Sequence, residues 1–395
     1  GIFLSVVAVT LPRWRLTPPV VAVLTFLVYV TGLALLASDW SNSFNGVMRL
    51  WIAFSMYPVA VSVLRTQRDV TAFFKTLAIG SFIVVATFGV AQIYPWGWEG
   101  YMRGRGFSYG GMGAYATYAL AYLTLGGIAA MSLLRTRRQR LFALMIHVLA
   151  GVIVMISFRR GAMAGLIVGF AVIVLLGGVR LSAGRVLSAM GLAVPIIAVA
   201  FFLFGDRVAD LYTARVTQGV QFEMASRFGR VAETKQVWTD FAHGSPRHML
   251  FGTEFFNSTD IFEWLREDRP IHIDYNVILD GAGAVGLLGF LLVYFLIALR
   301  FRTRWRRLYR SRYAVGVRAV FWGLLAASLI FSASNQLWVT TPYALFFALL
   351  GALQRSAELL PTKRAVAART QAPVLRAPLP TSLATTYPQA HARTP

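Results

Sequence analysis

Several short stretches hold residues whose types and spacing suit work on an anion. In Ser157-Phe158-Arg159-Arg160-Gly161, two adjacent arginines interrupt an apolar run. A guanidinium at such depth is expensive unless it faces a cavity or partner, and its planar fork suits bidentate contact with a diphosphate. The competing explanation is a pair that snorkels to lipid headgroups at a tight helix turn. Ser226-Arg227-Phe228-Gly229-Arg230 sets two arginines three apart, and the surrounding pattern predicts a helix over 226–241. Arg227 and Arg230 would then share a face and offer two cations to one anion; a solvated basic face is the alternative. Ile271-His272-Ile273-Asp274-Tyr275 puts a histidine just before a strongly apolar, glycine-rich helix. A neutral imidazole there suits a general base, with Asp274 or Glu267 fixing its tautomer, or else it only hydrogen-bonds headgroups. A Gly- and Arg-rich loop at 101–111, with Arg103 and Arg105 among aromatics, suits contact with phosphate or sugar. It lacks the Lys-Ser/Thr ending of a nucleotide-binding loop, so ATP is rejected.

The remaining histidines carry less: His147 sits in an apolar helix and reads as a packed, hydrogen-bonded residue, His243 and His248 flank a turn, and His391 is near the end. No spacing among them suggests a metal site, and the chain has no Cys, which excludes disulfides, thiolate metal sites and a cysteine nucleophile.

These residues need a frame, and the composition names it. With 57% apolar and 14% charged residues over 395 positions, a soluble fold would expose far too much apolar surface. The fold expected is an all-α polytopic integral membrane protein of about 11 to 12 transmembrane helices with one large loop. Spans of sufficient length fall at 18–37, 46–64, 71–94, 113–134, 141–158, 162–178, 186–204, 275–299, 317–334 and 341–354, with a stub at 1–11. The start reads as incomplete, with a further helix expected before Gly1. The net charge of +22 punctuates the apolar runs instead of forming a surface that tracks phosphates, so no nucleic acid is expected.

Basic residues recur in alternate short loops: Arg13 and Arg15, Arg65 and Arg68, Arg135 to Arg140, Arg180 and Arg185, and the run from Arg300 to Arg312. By the positive-inside rule these loops are cytoplasmic and touch anionic headgroups. Every candidate stretch above then falls on the opposite side. The chain divides into a helix bundle at 1–204, a loop domain at 205–274, further transmembrane helices at 275–355 and a tail at 356–395. The tail's Pro, Ala, Thr and Arg cannot bury a core, which predicts disorder. No internal repeat is evident, which weakens an inverted-repeat transporter.

In this order and sidedness the motifs resemble the O-antigen ligase and polysaccharide polymerase superfamily of bacterial envelope glycosyltransferases. The resemblance rests on Arg105-Gly106-Phe107 before a helix and on Arg160-Gly161 opening one. It continues with Arg227 or Arg230 ahead of Pro246 and Gly252, and His272-x-Asp274-Tyr275 leading into a helix with Gly286 and Gly289. It implies a multi-pass protein of the bacterial inner membrane whose active site faces the periplasm. The donor would be an undecaprenyl diphosphate-linked glycan, and the acceptor a glycan or lipid A core. Arg160 and Arg227 or Arg230 would bind the diphosphate, and His272 would deprotonate or position the acceptor hydroxyl, with Arg159, Arg105, Asp274 and Tyr275 as further substrate contacts. No cofactor or metal is implied, because arginines can stabilise the departing diphosphate. The family's usual Ser-Arg-Gly is Arg159-Arg160-Gly161 here, and Ile273 stands where an Asn often follows the histidine, with Asp274 next; that favours a polymerase over a ligase, with a protein oligosaccharyltransferase third. From other classes, a lipid-linked oligosaccharide flippase or transporter is the alternative, and it predicts discontinuous helices with ionisable residues near their midpoints. A purely structural membrane partner predicts that Arg160 and His272 are dispensable.

Overall fold

The computed structural model describes residues 16–93, 116–133, 136–157, 159–177, 212–213, 230–255, 271, 273–309, 311–333, 340–363 and 365. The spans expected at 1–11 and 186–204 and the tail at 364 and from 366 onward lie outside them. The described residues form an all-α, membrane-embedded protein. The helices are α1 (Pro18–Leu35), α2 (Trp40–Val63), α3 (Gln67–Ile93), α4 (Ala116–Leu133), α5 (Arg137–Ile156) and α6 (Arg160–Leu175). They continue as α7 (Arg230–His243), α8 (Pro246–Phe251), α9 (Asp274–Arg307), α10 (Arg312–Ser332) and α11 (Thr340–Leu359). Six segments, within α1, α2, α3, α5, α9 and α10, are long and apolar enough to cross a membrane, and α4 and α6 carry shorter apolar stretches. Their outer faces expose Val28, Ile83, Leu288 and Phe295, side chains that hydrocarbon would solvate.

The helix starts follow from local chemistry. Pro18 and Pro19 open α1, where no backbone N–H is needed. Asp39, Thr136 and Ser311 each cap the next helix by accepting a backbone N–H, from Asn42, Gln139 and Ala314 respectively. Asp69 accepts the N–H groups of Arg65 and Thr66 at 2.9 and 2.8 Å, while Thr66 accepts that of Asp69 at 3.2 Å, closing a reciprocal box at the start of α3.

Helices meet through small residues and aromatic rings. A methyl group at Gly169 of α6 would come within 2.9 Å of the Gly323 carbonyl oxygen of α10, and one at Gly323 within 2.6 Å of the Gly169 oxygen. In a membrane such close backbone approach is what holds two helices together, since lipid is as apolar as the side chains. Gly351 of α11 lies equally close to the backbone of Tyr57 in α2. At the centre, Phe26, Phe54, Phe290, Tyr294, Tyr343 and Phe347 pack ring against ring, the Phe54 and Phe347 centroids 4.3 Å apart. His147 is packed as expected, 3% exposed against Gly127, but neither ring nitrogen has a hydrogen-bond partner among the described residues, contrary to expectation.

The helix expected at 275–299 lies within α9, which breaks at Gly283, whose φ of 64° and ψ of −166° leave the helical region. A side chain there would strike the carbonyl of Leu250 at 2.4 Å, and one at Gly252, φ 80°, would strike the Gly281 carbonyl carbon at 2.4 Å. The end of α8 is therefore wedged into the break, and glycine is required on both sides of the contact. Two carbonyls beside the break find partners outside the helix: the Thr253 N–H donates to the Asp280 carbonyl at 2.8 Å, and the Tyr29 hydroxyl to the Ala282 carbonyl at 2.8 Å.

One end of the bundle is rich in arginine, while the other carries charges of both signs. At one end Arg300 pairs with Glu358, Arg304 bonds the carbonyls of Ala357, Glu358 and Leu360, Arg355 bonds the carbonyl of Leu64, and Gln67 reaches Tyr313. The opposite end gathers Ser38, Glu254, Asp274, Leu329 and Tyr343.

Candidate functional site

The opposite end holds those of the sequence candidates that lie among the described residues. The helix α7 begins at Arg230 and lies against the first turn of α9. Glu233, fully buried, accepts the backbone N–H of Ile273 at 3.0 Å and the Asn276 amide at 3.5 Å; Asn276 also donates to the Thr234 hydroxyl at 3.0 Å. Ile273 is the N-cap of α9 and has no side-chain oxygen to offer, so the carboxylate that satisfies and charge-complements this helix start comes from α7, forty positions earlier in the chain. Arg230, half-buried, is one turn before Glu233 on the same face of α7.

Asp274, the first residue of α9, is fully buried and accepts the Tyr343 hydroxyl of α11 at 2.7 Å; that hydroxyl also pairs with Ser332 of α10 at 2.7 Å. Tyr275 donates to the carbonyl of Leu329 at 2.9 Å, in the last turn of α10 where carbonyls lack helical partners. Asp274 and Tyr275 thus tie the start of α9 to α10 and α11, which gives them positioning work in addition to any contact with substrate.

The two arginines of the 157–161 motif sit at the same end. Ser157 is buried, donates to the Val154 carbonyl at 2.6 Å and accepts the Arg159 N–H at 3.3 Å, which fixes the turn between α5 and α6. Arg159 is half-buried, and its Nε is buried without a hydrogen-bond partner among the described residues. Arg160 is exposed at the first position of α6. Because α6 packs on α10 through Gly165 against Phe331 and Gly169 against Gly323, Arg160 lies towards the Ser332 end of α10, the end that holds Tyr343 and Asp274. A cation at a helix N-terminus opposes the macrodipole, while that terminus and the guanidinium both favour an anion nearby.

Arg160, Arg159, Arg230, Asp274 and Tyr275 thus share one end of the bundle. His272, Arg227 and Arg105 lie outside the described residues, although the neighbours of His272 are placed: Ile271 is buried and Ile273 bonds Glu233. Glu233, Asn276, Ser332 and Tyr343 are contributors that the sequence did not single out. Only Glu233 carried a usable signal, an acid on the face shared with Arg230. Among the described residues no group of His, Asp and Glu converges as metal ligands. No protein-family model matches the chain, and no curated protein is significantly similar to it.

Proposed function

We propose that the chain is an envelope glycosyltransferase of O-antigen ligase or polymerase type. In this proposal it has about eleven to twelve spans, its arginine-rich end lies in the cytoplasm, and its site faces the periplasm. It transfers or polymerises an undecaprenyl diphosphate-linked glycan onto a glycan or lipid A core acceptor. The observation that carries the proposal is the docking of α7, which Arg230 opens, on Ile273 and Asn276 at the start of α9, at the end of the bundle where Arg160 opens α6. Arg160 and Arg230 or Arg227 bind the diphosphate and stabilise its charge as the glycosyl bond breaks, and His272 takes the proton of the attacking hydroxyl. Arg159 and Arg105 add contacts to the donor, the buried Asp274 and its neighbour Tyr275 hold the start of α9 in place, and the donor's lipid tail stays in the bilayer.

The broken helix α9, with Asp280 buried near the break, is the feature that favours a transporter, since discontinuous helices often hold ions or substrates. Here the Asp280 and Ala282 carbonyls are already bonded to Thr253 and Tyr29, which makes the break a packing device. Purified protein given a lipid diphosphate-linked glycan in detergent should yield product without ATP and in the presence of a chelator, a ladder meaning polymerase and a single shift onto lipid A core meaning ligase. Absence of product from folded protein with every acceptor would move the weight to the transporter.

A further inference from the structure

Between α1 and α9, away from the site, runs a crevice with two chemically distinct parts. The larger, about 610 Å³, is lined by apolar side chains including Val21, Phe26, Val285 and Leu292, and Gly289 opens its floor. The smaller, about 340 Å³, is lined by Arg300, Thr303, Arg304 and Arg307 with Glu358. Both share Pro18 and Leu296, so they form one groove.

The charge at its basic end is unbalanced. Among the described residues Glu358 is the one acid lining it, and that carboxylate is engaged by Arg300, Arg355 and Gln354. Arg304 is held by backbone carbonyls, which carry no formal charge. Arg307 is exposed, and Nη1 of Arg300 is buried without a hydrogen-bond partner among the described residues. From Val285 to Arg300 the groove follows α9 for about 22 Å at a rise of about 1.5 Å per residue. That exceeds the roughly 15 Å of hydrocarbon in one leaflet, so an extended acyl chain fits along it.

We propose that this groove binds one anionic phospholipid from the leaflet at the arginine-rich end, its phosphate against Arg307 and Arg300 and an acyl chain along Val285, Gly289 and Leu292. A guanidinium pair over an apolar channel matches a phosphodiester on a hydrocarbon tail, and matches neither a free anion nor an uncharged lipid. The site is independent of the transferase proposal.

The test is native mass spectrometry of the full chain, reconstituted in equal parts phosphatidylcholine and phosphatidylglycerol and released after extensive detergent washing. Wild type retains one phosphatidylglycerol in preference to phosphatidylcholine. Arg307→Glu and Leu292→Trp, one removing the charge and the other filling the channel, each reduce retention about tenfold or more. Arg302→Glu, an exposed arginine outside the groove lining, leaves it unchanged. The proposal is overturned if folded wild type retains no phosphatidylglycerol, if phosphatidylcholine is held equally well, or if Arg302→Glu acts like Arg307→Glu. A dimer disrupted by Leu292→Trp at constant lipid retention would equally overturn it, by seating a second copy in the groove.

Discussion

Among single residues, those proposed to touch substrate are distinct from those that hold them in place. His272→Ala should lower transfer by about 10²- to 10⁴-fold, the range for loss of a positioned general base, while the protein still inserts and binds donor. Arg160→Ala should weaken donor binding as well, measured by retention of a lipid diphosphate on the purified protein. Glu233 has a different part. Its carboxylate bonds the helix start at Ile273, so Glu233→Ala should destabilise the fold by about 1–3 kcal/mol, seen as a lower melting temperature in detergent, and lower transfer through the loosened α7. Glu233→Gln keeps an acceptor for the Ile273 N–H and should recover most of the stability. Equal loss in both variants would mean that the charge, not the hydrogen bond, matters at that helix start.

Among the elements, the interlock of α8 with α9 and the contact of α6 with α10 carry the firmest expectations. Gly283→Ala forces an alanine into a positive φ and into the Leu250 carbonyl; it should cost about 1–3 kcal/mol or more and free α8 for proteolysis. Gly323→Leu should separate α6 from α10 and displace Arg160, losing donor binding and stability together. The sequence made the spans legible because a bilayer demands about twenty apolar residues in a row, a local property of the chain. The ends were less legible. The last span was expected to stop at 354, yet α11 runs on to Leu359, because Arg300 and Arg355 neutralise Glu358 and let the helix continue. The break at Gly283 was hidden as well, since glycine is frequent in transmembrane helices and Gly281-Ala282-Gly283-Ala284 does not by itself mark a break; only the approach of Leu250 and Gly252 shows why it bends. Glu233 became visible for the same reason, through a partner forty residues away, and Tyr343 through one sixty-nine residues away.

For the whole molecule, charge and chemistry divide between the two ends, and that division is what the orientation rests on. The chain lacks Cys, so single cysteines report sidedness cleanly. Ser38→Cys, exposed at the candidate-site end, should react with an impermeant maleimide in intact spheroplasts, and Arg302→Cys, exposed at the arginine-rich end, only after permeabilisation. The reverse pattern would place the site in the cytoplasm and remove the periplasmic assignment. The arginine, histidine and glycine motifs were readable one by one, and the fold draws those it describes to a common end by routes that spacing alone does not reveal. Whether that end transfers glycan is decided most directly by comparing wild type with His272→Ala and Arg160→Ala in reconstituted transfer from a lipid diphosphate-linked glycan, with chelator and without ATP. Wild type should give product, and either variant almost none at matched folding. Undiminished product from both variants would contradict the assignment of this site.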